Sequence, residues 1–166
     1  MKHSLKGLCA AAAVCAVTAM PVQAEEAMTA EVARVSVDVA NTVAMEAMKS
    51  CRDQGIPVSV TVVDRNGIVQ VQVRDTTAPP VSLGISEKKA YTAIMFNAAG
   101  SDLESRAGSA LIELGEGLAF MAGSVVMEAG GRIYGAVGVS GAPDGMVDEE
   151  CAAAGFQAVA MDLEML

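Results

Sequence analysis

The stretch GAVGVSGAPDGMVDEECAAAG, residues 135–155, decides the fold. Gly135, Gly138 and Gly141 stand three residues apart, and the acids Asp148, Glu149 and Glu150 follow, then a run of alanines. Such a stretch is either a phosphate-cradling loop that opens a helix or a strand and a helix joined by small residues. A dinucleotide-binding fingerprint sets its glycines directly after the first strand of a βαβ unit, with an acidic residue about 20 positions further on. Here the glycines follow a hairpin, and no strand pattern comes after them. A P-loop ends in Gly-Lys-Ser/Thr, yet no lysine occurs beyond Lys89. The helix that follows begins with three acids, which occupy its positive end where a phosphate would sit. The stretch therefore reads as a late strand and a helix. Glycines in a strand mean that something approaches the backbone closely, and a packed helix and a planar ligand both satisfy that.

Working outward, RIYGAVGVSG is apolar on both faces, as a central strand is. Gly130-Gly131 joins it to SVVMEA in a hairpin. A second hairpin lies earlier, where PVSVTVVD and IVQVQV alternate apolar and polar residues around Asp64-Arg65-Asn66-Gly67, giving one wetter face. Asn66-Gly67 suits the positive φ angles of a tight turn, and Asp64 belongs to that turn. Between Met28 and Arg52, Val32, Val35, Val39, Val43 and Ala47 form one helical stripe. RDTTAPPVSLG, with two prolines, reads as a connection before a helix over residues 87–99. Ser101 and Glu104 form a capping box, predicting a further helix with Leu103, Ala107, Leu111 and Leu114 on one side. The order α-β-β-α-α-β-β-α predicts an α+β domain with a mainly antiparallel sheet flanked by helices.

Residues 1–24 carry Lys2 and Lys6, the apolar run LCAAAAVCAVTAM and the small-residue end Val22-Gln23-Ala24. This is the pattern of a signal peptide, so the expected division is a leader over residues 1–24 and a single domain over residues 25–166, exported to the periplasm or secreted. The sole histidine, His3, falls in the leader, which removes histidine catalysis and histidine ligation from the mature chain. Losing Lys2 and Lys6 leaves 9 basic against 20 acidic residues, a formal charge of −11. So acidic a surface argues against nucleic acid and anionic membranes as partners. Cys51 and Cys151 remain, either paired across a long loop or each buried separately, and the spacing leaves both open.

PVSVTVVDRNGIVQVQVRD, Lys89-Ala90-Tyr91-Thr92-Ala93 and GAVGVSGAPDGMVDEECAAAG together resemble the GlcG/HbpS family of haem-binding and haem-degrading proteins, from about Ala30 to Ala160. The resemblance implies a profilin-like domain that assembles into homo-oligomers and takes haem, another tetrapyrrole or iron in some members. Two stretches depart from the family pattern. Ala122-Gly123-Ser124-Val125-Val126 stands where Gly-Gly-x-Pro-Ile is usual, and Thr76-Thr77 follows Arg74-Asp75 where Gly-Ala is usual.

Lys89 and Thr92 match the family's Lys-Ala-x-Thr-Ala and lie about one turn apart, where they could hold a ligand carboxylate. The resemblance adds Tyr91, Gly123, Gly138, Ser140 and Gly141 as cofactor-contacting positions. Without histidine, haem iron would need Tyr91 or Tyr134, a cysteine, a non-protein ligand, or a methionine, of which Met45, Met48, Met95, Met121 and Met127 are the best placed. Asp148, Glu149 and Glu150 are either a cation site or the charged start of a helix. The leading expectation is an exported oligomeric protein binding haem or another small planar or carboxylate-bearing cofactor. The alternatives are an enzyme of the haem-degrading or lyase/isomerase kind using Lys89, and an assembly scaffold with a vestigial pocket.

Overall fold

The two hairpins join edge to edge. β1 (Ser59–Asp64), β2 (Val69–Arg74), β3 (Ser124–Ala129) and β4 (Arg132–Ser140) form one antiparallel sheet in the order β2-β1-β4-β3. The structure, a computed structural model, describes residues 28–166, and the folded body runs from Glu31 to Leu166. The leader expected over residues 1–24 lies outside the described residues. β4 occupies a central position, which is why it is apolar on both faces.

Four helices complete the order read from the sequence: α1 (Val37–Asp53), α2 (Val81–Phe96), the short α3 (Leu111–Leu114) and α4 (Gly145–Glu164). One face of the sheet carries Val60, Val62, Val137 and Val139 against α1 and α4. The other carries Val63 and Ala136 against Ala90, Ala93 and Ile94 of α2. Cys51 and Cys151 are bonded as a disulfide between α1 and α4, with Cα atoms 5.6 Å apart, which resolves the choice the spacing left open. At the end of α1, Arg52 donates to Asp75 at 2.6 Å. This bond, partly offset by desolvation and aided by the Thr76 N–H, holds the Asp75 carboxyl below the usual carboxylate range.

Five local expectations are corrected. The first helix starts at Val37, not near Met28, because the Ser36 side chain caps it by accepting from Val39 N–H. The α2 helix begins at Val81, six residues earlier than its pattern suggested: Pro79 and Pro80 precede it, and a proline at a helix entry needs no N–H donor. The helix expected from Ser101 is a 3₁₀ segment, Ser101–Arg106, separated from α3. Its supposed capping partner Glu104 instead accepts from Ala122 N–H, 3.2 Å away. In the β1–β2 turn only Gly67 takes positive φ (+79°), because Asp64 accepts from the N–H groups of Asn66 and Ile68 and shapes the turn itself.

The fifth correction concerns the wetter face of the first hairpin. Every residue of β1 is buried. Its polar positions meet serines of α2, with Ser59 and Ser82 hydroxyls 2.7 Å apart and Thr61 and Ser86 hydroxyls 2.8 Å apart. Paired hydroxyls let a strand that alternates in sequence be covered on both sides without orphaned polar groups.

Candidate functional site

Gly138 answers the question posed by the glycine-rich strand. A Cβ there would meet the Ser86 carbonyl, and the Ala90 nitrogen at 2.6 Å. The close neighbour is helix α2, and the bare strand surface is a packing seam. Gly141 approaches the Pro57–Val58 backbone in the same manner, and Ser140 is buried beside it. None of these three lines an open cleft.

Lys89 projects from α2 into the interior at 4% side-chain exposure, and its ammonium lies 2.9 Å from Oδ2 of Asp148, itself 2% exposed. Asp148 also accepts from Ala142 N–H at 2.9 Å. Next to it, Glu149 accepts from the N–H groups of Ser101 and Gly123, each at 3.0 Å. Gly123 sits at φ +122°, where a Cβ would run into the Lys89 ammonium and come within 2.9 Å of the Val139 carbonyl. The small residue is what leaves room for the ion pair. Lys89 and Gly123 thus meet in a buried clamp between α2, the approach to β3 and the first turn of α4.

The acids open α4, as the helix-start reading has it, with Asp148 in its first turn, but they are not all solvated. Asp148 and Glu149 are buried and fully engaged rather than solvated, and Glu150 is exposed. No group of three or more His, Cys, Asp or Glu side chains among the described residues is placed to hold a metal ion. The Lys89 ammonium is engaged by Asp148, and Lys89 is not among the residues lining the cleft on the outer side of α2. Thr92 is occupied too: its hydroxyl donates to the Lys88 carbonyl at 2.7 Å and accepts from Ala119 N–H at 2.8 Å.

Of the candidate iron ligands, Met48, Met127 and Tyr134 are core side chains. Met45, Met95 and Met121 are exposed. Tyr91 lines an open cleft, of about 410 Å³, on the outer side of α2. Lys88, Glu87 and Glu116 supply its charges, and Gly84, where a Cβ would meet nothing within 4 Å, leaves part of its wall as bare backbone. The Tyr91 ring is seated against the β1–β2 turn and the 115–118 loop, 2.7 Å from where a Gly67 Cβ would stand and 3.7 Å from where a Gly117 Cβ would. Glu87 is 3.4 Å from the Gln72 amide, a long hydrogen bond.

Sequence reasoning passed over Lys88 in favour of its neighbour. Helical periodicity holds the missed signal: Gly84, Lys88 and Tyr91 recur at four and three residues on one face, whereas Ser82, Ser86, Lys89 and Ala93 fall on the buried one.

Comparison with known proteins agrees with this fold. Residues 35–157 match the family model for haem degrading protein HbpS-like. The crystal structure of HbpS is 34% identical with a TM-score of 0.74, over 83% of this chain and 99% of that one. A double mutant of Streptomyces reticuli HbpS is also 34% identical with a TM-score of 0.74, over 85% and 97% of the two chains. The PduOC:heme complex shares the fold at 23% identity and a TM-score of 0.69, over 75% of this chain and 94% of that one. No curated protein matches the chain.

Proposed function

The chain belongs to the HbpS-like family of haem-degrading proteins, and from that premise we propose that it binds haem in the cleft lined by Tyr91 and Lys88. The observation that carries this reading is the joining of Tyr91, Lys88 and the uncovered Gly84 in the wall of one open cleft. The residues fit the group. A tyrosine oxygen is an established axial ligand of haem iron, and it serves a chain whose described residues contain no histidine. Lys88 supplies a cation for a propionate carboxylate. Gly84, where a Cβ would meet nothing within 4 Å, lets a flat macrocycle come close to the backbone. When bound, haem supplies an iron centre whose chemistry its axial ligand tunes.

Titration of the purified protein with haemin tests this. A saturable Soret shift is expected, with Tyr91→Phe changing the band position and weakening binding about tenfold, or about 1.4 kcal/mol. Lys88→Ala should weaken it less and leave the band in place. An unsaturable response, or a Tyr91→Phe titration that superimposes on wild type, overturns the assignment.

Export and self-assembly belong to the same proposal. Export is supported by the leader pattern in residues 1–24 and by the Cys51–Cys151 disulfide, a bond that persists in oxidising compartments. Self-assembly is supported by exposed Ile68, Val69 and Met95 at the β1–β2 hairpin and on α2. No helix among the described residues is long and apolar enough to cross a membrane. Protein recovered from the exported fraction should have an intact mass that begins at Glu25 and a light-scattering mass that is a multiple of one protomer. A retained leader or a monomeric mass refutes the corresponding part.

A further inference from the structure

A second cleft, of about 560 Å³, opens at the end of the sheet where both hairpin turns lie, and two arginines face it: Arg65 from the β1–β2 turn and Arg132 from the first position of β4. The rest of its wall is largely apolar or bare, with Val32, Ile133 and Gly131, and Glu31 is its one acid. We propose that this cleft binds a small oxyanion through the two guanidinium groups, either a carboxylate or a phosphate.

The two arginines of this cleft are not neutralised by a carboxylate of the described residues. Arg34, Lys49, Arg52 and Lys89 each lie within 4.0 Å of a carboxylate: those of Asp64, Glu46, Asp75 and Asp148. Arg74 is held by the Ala78 carbonyl and Arg106 lies over the Phe96 ring, whereas Arg65 and Arg132 have no carboxylate within 4.0 Å among the described residues and face the same cleft. The nearby carboxylate of Asp64 is spent on Arg34 and on the turn's own N–H groups. Two like charges facing one cleft repel each other, and an anion between them converts that repulsion into charge-assisted hydrogen bonds. A guanidinium presents paired donors that match both oxygens of a carboxylate or phosphate. The volume and the apolar wall of Val32 and Ile133 leave room for an organic body behind the charged head.

The test is calorimetric titration of the haem-free protein with inorganic phosphate and, separately, with adipate, at constant ionic strength against a chloride reference. Saturable binding of at least one probe is expected. Arg65→Ala and Arg132→Ala should each weaken it about tenfold, while Arg132→Lys should restore part of the affinity. Lys49→Ala, at an exposed cation of α1 that lines neither cleft, should bind like wild type. The probe that saturates identifies the head group. Heats no larger than those with chloride, or arginine variants that are folded by circular dichroism yet titrate like wild type, overturn the proposal.

Discussion

Lys89→Met should lower the folding free energy by about 3–5 kcal/mol, the loss typical when one partner of a buried ion pair is removed and the other charge is left behind. Both side chains are almost wholly enclosed, and the ammonium joins α2 to the first turn of α4 through Asp148. Replacing Asp148 by leucine as well removes the stranded charge, so the double variant should recover much of the loss. It stays below wild type because the Ala142 N–H then lacks its acceptor. Urea unfolding checks this as a shift of midpoint at unchanged slope, with Lys88→Met as the exposed neighbour that should move it little. A Lys89→Met loss under about 1 kcal/mol would show that the pair is not a clamp. The comparison also separates structure from chemistry, since a catalytic Lys89 would cost turnover at intact stability.

Removing the disulfide has the second large effect. Cys51 and Cys151 are 100 residues apart in sequence, and a cross-link closing a loop of that length restricts the unfolded chain by about 4–5 kcal/mol. The double variant Cys51→Ala with Cys151→Ala should therefore unfold at a much lower denaturant concentration. Wild type unfolded in the presence of dithiothreitol should approach the same midpoint. Under native conditions the reductant should act slowly, because both cysteines are fully buried at the contact between α1 and α4. Coincident midpoints with and without reductant would mean that the bond contributes nothing to stability.

The candidate site was only half legible beforehand. The periodicity that placed Tyr91 and Lys89 on one helix is a local property, and so is the glycine spacing in β4. Which face of α2 turns inward is not local, because the helix began six residues before its pattern became visible and its serines pair with β1. Once Ser82 and Ser86 face the sheet, Lys89 follows them inward and Lys88 goes out with Tyr91. A motif match to Lys-Ala-x-Thr-Ala could not reveal that its lysine is consumed by an aspartate 59 residues away.

What the sequence by itself determined is the succession of elements and the family. Alternation at period two marked the first two strands, an apolar run beside Gly130-Gly131 marked the last two, Asn66-Gly67 marked the first turn, and the order α-β-β-α-α-β-β-α followed. These signals rest on backbone geometry and side-chain alternation within a few residues. The tertiary structure alone decided the rest: that the disulfide forms, that the wetter face of β1 is covered, that the acids opening α4 are buried, and that two arginines from separate hairpins share a cleft. The physical reason is common to all four. Each depends on which distant groups arrive within a few ångströms, and whether a polar side chain is a ligand, a clamp or a solvated charge is set by the partner it meets.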